Sequence, residues 1–337
     1  MIDINSLEKY DVHKMYKVYD KWPQIAKEQF DENIQSIEFQ KVEHIIFAGM
    51  GGSGAISDIF ASILSKTNIH VEIVKGYLLP KTVDKNSLVI VTSVSGNTEE
   101  SLNVLMNAKK IGCKIIAFSD GGLMKKYCVK NLIEHREIKM QHSPRASFIS
   151  YLFTMLKTLI KTLPINPEEV YESIYELESL KKKISSGNLT ESNPSLLLAK
   201  WISGIPLIYY PHGLEAAAIR FKNSLQENSK MHVITEDVIE ACHNGIVSWI
   251  KPSNVKPILL RGKDDFEKTS ERWNILKIFF EKNEIEFKEI NSVEGNILSK
   301  LVTLIYLLDY ASIYKAILDK VDPTMVDPID FVKTKLS

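Results

Sequence analysis

Cysteine is scarce in this chain, and its three cysteines stand apart from one another. Cys113, Cys128 and Cys242 follow no paired spacing along the 337 residues. This pattern is typical of a reducing compartment and argues against a disulfide framework or a metal centre built from cysteines. We expect the three side chains to fill the core of a cytoplasmic protein.

The chain also lacks an excess of charge of either sign. Lysine and arginine number 42, as do aspartate and glutamate, so no overall field steers the protein onto nucleic acid or an anionic membrane. The first 22 residues are polar and lack the apolar segment of a secretory signal, and we expect no later apolar run to reach membrane-spanning length. Nucleic acid and membrane are therefore not expected partners, and any anion site must be local.

Short apolar runs alternate with helical patterns, which predicts α/β architecture with covered parallel sheets. The length suits two such domains, 1–165 and 166–337, with a polar linker at 181–194. An amphipathic helix opens the chain, and further helices are expected at 145–180, after Gly213, after Phe266, at 296–318 and from Pro328. Strands are predicted at 44–48, 70–74, 87–92, 114–118, 131–134, 205–210, 231–235, 256–261 and 286–290.

A glycine-rich loop, GMGGSG at 49–54, follows the first predicted strand and opens a helix. The pattern fits a dinucleotide fingerprint, but that fingerprint also needs an acidic residue at the end of the second strand, where this chain has Val74 followed by Lys75 and Gly76. A tight turn without a ligand is a second interpretation. We favour a third, a smaller anionic ligand, because residues without Cβ let backbone N–H groups approach it closely.

A second loop, SVSGNTEE at 93–100, runs from a strand into another helix and surrounds one glycine with three hydroxyls. Hydroxyls and the unpaired amides of a helix start together supply donors for a monophosphate. The alternative is ordinary capping, with Asn97 as the N-cap and Glu100 as its partner. Capping alone does not require Ser93 and Ser95, so the loop favours phosphate.

These two loops, in this order and spacing, resemble the phosphosugar-binding sugar isomerase (SIS) domain. The resemblance extends over most of the chain to the bifunctional phosphoglucose/phosphomannose isomerases. The further landmarks are SPRA at 143–146, RFKN at 220–223, QENSK at 226–230, His243-Asn244, VDPT at 321–324 and IDFVK at 329–333. The resemblance implies two flavodoxin-like parallel-sheet SIS domains with flanking helices, a phosphorylated hexose as substrate, and neither cofactor nor metal.

The resemblance also implies roles for nine residues. Phosphate binding falls to Gly52, Ser53, Ser93, Ser95 and Thr98, stabilisation of the reacting carbons to Arg145, base catalysis to Glu227, and ring opening to His243 and Lys333. The family pattern places the histidine in the neighbouring subunit's site and so implies a homodimer. The chain departs from the family where His243-Asn244 is followed by Gly245 instead of glutamate, which leaves the preference between glucose and mannose 6-phosphate open.

The residue types suit an aldose–ketose isomerisation. A partly buried carboxylate can take a proton from one carbon and return it to the next, and a fixed guanidinium at the start of a helix stabilises the enediolate. Histidine titrates near neutrality, as ring opening requires. The plainer alternatives are a solvated Glu227, a surface Arg145, a structural His243 and a solvated Lys333.

Three other functions share some of these features. A non-catalytic phosphosugar-binding regulatory SIS protein would usually add a DNA-binding helix-turn-helix, for which the first forty residues are too few and too balanced in charge. The isomerising half of an amidotransferase would need a glutaminase partner. A nicotinamide-dependent oxidoreductase is disfavoured by the missing acid.

Overall fold

The computed structural model describes residues 2–336, which divide into two compact units. We call them the five-stranded unit, which comprises Lys21–Glu176 and Asn296–Ser299, and the four-stranded unit, which comprises the described residues up to Asp20, Leu177–Gly295 and those from Lys300 onward.

The strands in chain order are β1 (His44–Ala48), β2 (His70–Val74), β3 (Leu88–Thr92), β4 (Lys114–Ser119), β5 (Glu134–Glu137), β6 (Ile205–Tyr210), β7 (Ile234–Asp237), β8 (Val255–Arg261) and β9 (Lys288–Asn291). The helices are α1 (Ile4–Tyr10), α2 (Met15–Tyr19), α3 (Trp22–Asp31), α4 (Gly51–Leu64), α5 (Glu99–Ile111), α6 (Gly122–Lys130), α7 (Phe148–Leu159), α8 (Pro167–Ile184), α9 (Pro194–Trp201), α10 (Glu215–Ser229), α11 (Val238–Ala241), α12 (Glu267–Lys282), α13 (Ile297–Leu318) and α14 (Asp327–Leu336).

The five-stranded sheet is entirely parallel, with the order β2-β1-β3-β4-β5. This is the flavodoxin-like doubly wound order, in which the winding direction reverses between β1 and β3. Every residue of β3 is buried, as expected for a central strand covered by helices on both faces. Helix α7 buries all of its residues except Lys157.

The four-stranded sheet is also parallel, with the corresponding order β7-β6-β8-β9. Its core includes aromatic side chains from β6 and α12, among them Tyr209, Trp273 and Phe280. The predicted α/β class and the two parallel sheets are therefore confirmed.

Several predicted boundaries are wrong. Strand β5 begins at Glu134 instead of residue 131, because Leu132 has a positive φ of 54° and belongs to the turn after α6. Strands β7 and β9 likewise begin two or three residues later than predicted. The single helix expected at 145–180 is interrupted between α7 and α8, where Pro167 starts the second helix. Three short helices replace the one expected at the start of the chain.

The expectation that no apolar run reaches membrane-spanning length is also wrong. Helix α13 has 22 residues and is apolar enough to cross a membrane by length and composition. However, 83% of its most apolar window is buried inside the protein, as in the core helix of a folded domain.

Candidate active site

The two loops singled out in the sequence lie at the switch point of the five-stranded sheet. Residues 49–54 follow β1, residues 93–98 follow β3, and the two strands are hydrogen-bonded neighbours. A Cβ atom on Gly49 would lie 3.1 Å from the Thr92 carbonyl oxygen. Ligands of doubly wound proteins bind in this crevice, outside the carboxyl ends of the strands.

Each loop opens a helix whose N-cap side chain makes no capping hydrogen bond. Helix α4 has Met50 at its N-cap and α5 has Thr98. The alternative that Asn97 caps α5 is wrong, because its Oδ1 accepts a hydrogen bond from the Leu123 N–H at 3.0 Å. Unlike a helix start closed by its own cap, both helix starts keep amides available to an anion.

The hydroxyls of the second loop are held in a defined arrangement. The Ser93 Oγ lies 2.9 Å from the Thr98 Oγ1 and accepts a hydrogen bond from the Gly96 N–H at 3.1 Å. The Ser95 side chain is exposed, and its Oγ accepts from the Asn97 N–H at 3.2 Å. Ser53 is buried in the first turn of α4.

Close packing around Gly96 keeps the second loop rigid. Gly96 has a φ of 68°, and an added Cβ would lie 2.1 Å from the Gly121 carbonyl oxygen. The Met124 N–H donates to the Gly96 carbonyl at 2.9 Å, and the Tyr151 hydroxyl lies 2.8 Å from the Ile138 carbonyl and 3.3 Å from the Val94 carbonyl. Because these donors are already fixed in place, little further conformational entropy is lost when a ligand binds.

Arg145 lies in a turn beside the glycine loop. The prediction that it stands at a helix start is wrong, because α7 begins at Phe148 with Ser147 as its N-cap. Arg145 is only 5% exposed, so the alternative of a surface arginine is also wrong. A Cβ on Gly52 would lie 3.1 Å from the Pro144 carbonyl oxygen and 3.5 Å from the Arg145 Cα. Because Gly52 has no side chain, the glycine loop and the turn that contains Arg145 can pack against each other.

Glu227 belongs to the last turn of α10 in the four-stranded unit and is half-buried. Lys230 ends this helix with a φ of 58°. Its ammonium donates to the carbonyl of Glu227 and also to the carbonyls of Asp322 and Met325, at 3.1 and 2.7 Å. The motif QENSK contains Glu227 and Lys230, VDPT contains Asp322, and Met325 follows directly after it, but nothing in the spacing of the two motifs revealed that Lys230 joins them.

A buried ion pair anchors the preceding turns of α10. The Arg220 Nη2 lies 2.7 Å from the Asp309 Oδ2 in α13, and the Ser224 hydroxyl donates to Asp309 Oδ1 at 2.6 Å. The Tyr19 hydroxyl donates to the same carboxylate at 3.0 Å. Burial by itself lowers the pKa of the Arg220 guanidinium, but the attraction of Asp309 outweighs it and raises the pKa above its usual value. Glu227 also contributes to the raised pKa of Arg220, more weakly.

His243 and Lys333 are exposed residues of the four-stranded unit. His243 follows α11, and the Lys333 Nζ in α14 lies 3.5 Å from the Asp330 Oδ1. Helix α14 buries none of its described residues. The structure thus gathers the five predicted phosphate-binding residues and Arg145 in one unit, whereas Glu227, His243 and Lys333 lie on three separate elements of the other.

A carboxylate lies beside Gly245, where the chain departs from the family pattern. A Cβ on Gly245 would lie 2.4 Å from the Glu236 Oε1. Burial raises the pKa of Glu236, and the nearby Glu240 raises it further. A side chain at position 245 would therefore require the flexible Glu236 side chain to move.

The corresponding loop of the four-stranded sheet holds a carboxylate of its own. The Gly262 N–H, directly after β8, donates to the Asp265 carboxylate at 3.1–3.2 Å, and the Trp273 Nε1 donates to it at 2.8 Å. Burial raises the pKa of Asp265. The Gly262 and Trp273 N–H groups are therefore already bonded to a carboxylate and are not available to an anionic ligand.

Comparisons with known proteins match both halves of the chain to SIS-domain families. The family model described as the SIS domain matches residues 38–155, and that of the bacterial phospho-glucose isomerase C-terminal SIS domain matches residues 191–336. The bifunctional phosphoglucose/phosphomannose isomerase of Caldicellulosiruptor bescii is 31% identical over 95% of this chain and 98% of its own length. The protein of the same name from Aquifex aeolicus is 27% identical over 96% and 99%.

Among solved structures, the C-terminal domain of glucosamine-fructose-6-phosphate aminotransferase from Francisella tularensis is similar in fold, with a TM-score of 0.68 at 15% identity. The match covers 91% of this chain and 96% of that one. The 31% identity to the Caldicellulosiruptor protein over nearly the full length of both chains shows that this chain belongs to the bifunctional phosphoglucose/phosphomannose isomerase family of two-SIS-domain proteins.

Proposed function

We propose that this protein interconverts glucose 6-phosphate, and also mannose 6-phosphate, with fructose 6-phosphate through an enediolate. The observation that carries the proposal is the pair of adjoining loops at the β1/β3 switch point, each opening a helix that no N-cap side chain closes. Such a site suits the phosphate of a phosphosugar.

The substrate phosphate binds Ser53, Ser93, Ser95 and Thr98 through their hydroxyls, with the Gly52 amide assisting. Ser93 and Thr98 already lie within hydrogen-bond distance of each other. Arg145 stands close to the same loop by way of Gly52. Its permanent positive charge stabilises the enediolate oxygen as negative charge develops there.

Glu227 is the base that removes the proton from one carbon and returns it to the neighbouring carbon. Its position in a sequence that matches the family supports this role. The side chain is half-buried, and Lys230 fixes the end of its helix. A single carboxylate on one face of the sugar can perform both transfers.

His243 and Lys333 open the sugar ring, and His243 does so in the site of a second copy of the chain. The exposure of both segments supports a homodimer. Several apolar side chains within seven residues of His243 or Lys333 along the chain are exposed: Val247, Ile250, Ile329, Phe331, Val332 and Leu336. Exposed apolar groups of this kind mark protein interfaces.

The proposed enzyme works in the cytoplasm, in glycolysis and gluconeogenesis, and needs no cofactor or metal. We further propose that residues 1–165 form the domain that binds the phosphate, and that residues 166–337 form the domain that carries the base and the ring-opening groups.

The decisive experiment replaces Glu227 by Gln, which keeps the shape but cannot accept a proton at neutral pH. Turnover with both sugar phosphates should fall by about 10⁴-fold, the upper end for loss of general-base catalysis, while calorimetric binding persists. Glu215→Gln, at the other end of α10, is the matched control and should keep full turnover. A Glu227→Gln protein that retains about a tenth of wild-type turnover would refute the role, and a wild type that binds but never turns over would indicate a phosphosugar sensor.

The phosphate loop is tested separately by the double change Ser95→Ala/Thr98→Ala. Each charge-assisted hydrogen bond contributes about 1.5–3 kcal/mol, so affinity for a sugar phosphate should fall at least tenfold while the far-ultraviolet circular dichroism is unchanged. Unchanged affinity would remove the loop from the site.

The dimer is tested by mixing two inactive variants, His243→Ala and Glu227→Gln. If His243 acts in the partner's site, hybrid dimers regain one intact site each. Confirmed subunit exchange without any recovered activity would contradict this arrangement.

A further inference from the structure

A cluster of two histidines and one glutamate lies at the amino end of the five-stranded sheet. His44 begins β1 and is paired in register with His70, which begins the neighbouring edge strand β2. Glu72 follows His70 by two residues and therefore points to the same face of the sheet. Each of the three residues offers a ligand atom, and these atoms lie within 4.8 Å of one another.

The His44 ring is oriented by a buried hydroxyl. The Ser87 Oγ lies 3.2 Å from His44 Nδ1 and 3.1 Å from the Asp84 Oδ1. Because the Asp84 carboxylate can only accept, the single Ser87 hydroxyl proton goes to it, and His44 Nδ1–H donates to Ser87 in turn. This arrangement leaves the lone pair on His44 Nε2.

That Nε2 atom is buried and has no hydrogen-bond partner within residues 2–336. It lies 3.7 Å from the Glu72 Oε2 and faces the cluster. An imidazole that donates from one nitrogen to a second-shell group and presents the other is the usual arrangement of a metal ligand.

We propose that His44, His70 and Glu72 bind a divalent late first-row transition metal, with Zn²⁺ as the reference ion. Two imidazoles and a carboxylate form a donor set typical of Zn²⁺, with a fourth position open to water. Ligands about 2.1 Å from a tetrahedral ion lie about 3.4 Å apart, so the His44–Glu72 spacing is almost correct. The exposed His70 side chain and the partly exposed Glu72 have room to turn inward.

The site stands apart from the proposed isomerase site. The phosphate loops follow the carboxyl ends of the strands, whereas the metal ligands lie at their amino ends and join β1 to the edge strand β2. Metal bound here stabilises the pairing of β2 with the sheet and takes no part in catalysis. The inference therefore does not rest on the proposed function.

The test is a calorimetric titration of the chelator-treated, dialysed protein with ZnCl₂. Wild type should bind one Zn²⁺ per chain at this site. His70→Ala and Glu72→Gln should each lower the Zn²⁺ affinity at least about tenfold, since second-shell changes alone lower metal affinity 10–100-fold. Ser87→Ala should weaken it by a similar factor through loss of ring orientation. His232→Ala, which removes an exposed histidine elsewhere, is the matched control and should bind like wild type.

Two further measurements separate a built site from an adventitious ion. Co²⁺ should give the strong visible absorption of a low-coordinate site in wild type but not in His70→Ala. Zn²⁺ should raise the melting temperatures of wild type and His232→Ala more than those of His70→Ala and Glu72→Gln. Equal Zn²⁺ affinity in wild type, His70→Ala and Glu72→Gln, with no Co²⁺ spectrum, would mean an adventitious ion only and would overturn the proposal. Circular dichroism confirms that each variant is folded.

Discussion

The buried pair of Arg220 and Asp309 offers a sharp test of what holds helix α10 in place. Both side chains are almost fully buried, at 3% and 0% exposure. The change Asp309→Asn leaves the Arg220 charge in the interior without its counter-charge. Removal of one partner from such a pair costs about 3–5 kcal/mol, a large part of the 5–15 kcal/mol that typically stabilises a domain.

The matched control is the exposed pair Lys268–Glu271, whose atoms lie 2.8 Å apart. Glu271→Gln should cost less than about 1 kcal/mol, because water screens an exposed pair. Equilibrium unfolding in urea, followed by circular dichroism and by tryptophan fluorescence, measures both changes in free energy.

The double change Arg220→Met/Asp309→Leu should cost less than the sum of the two single changes, since no charge is left buried. It should still cost something, because the Ser224 and Tyr19 hydroxyls lose their acceptor. If Asp309→Asn costs no more than Glu271→Gln, the buried pair does not anchor helix α10.

Three further outcomes follow from the structure. Gly96→Ala should weaken sugar-phosphate binding at least tenfold in calorimetry, because its Cβ would meet a carbonyl oxygen, whereas Gly112→Ala, also at positive φ but in open space, should change only stability. Lys230→Met should lower kcat more than it changes KM, as the end of the helix that carries Glu227 loosens. The pKa of Glu236 is raised above 4.5 in the folded state, so its ionisation destabilises the fold at neutral pH and not below pH about 4. Glu236→Gln should therefore raise the melting temperature at pH 7 but not at pH 4.

Local sequence patterns were sufficient to predict the parallel sheets and the two loops, 49–54 and 93–98, that open helices after β1 and β3. The strands β1, β2 and β6 have the predicted bounds, and both loops open helices as expected. This success has a local cause, because alternation of apolar runs with helical periodicity, punctuated by glycine, is encoded within a few residues. The boundaries that failed, such as that of β5, depend on where one strand pairs with another.

The sequence by itself determined the fold class, the family resemblance and the chemical types present at the site. Only the tertiary structure decided that Arg145 is buried against Gly52, that Lys230 joins α10 to the VDPT segment, and that Asp309 neutralises Arg220. The register of β1 against β2 likewise decided that His44 and His70 share one face of a sheet. Residues tens to hundreds of positions apart come into contact only when strand register and helix packing are set. Their spacing along the chain therefore does not predict those contacts.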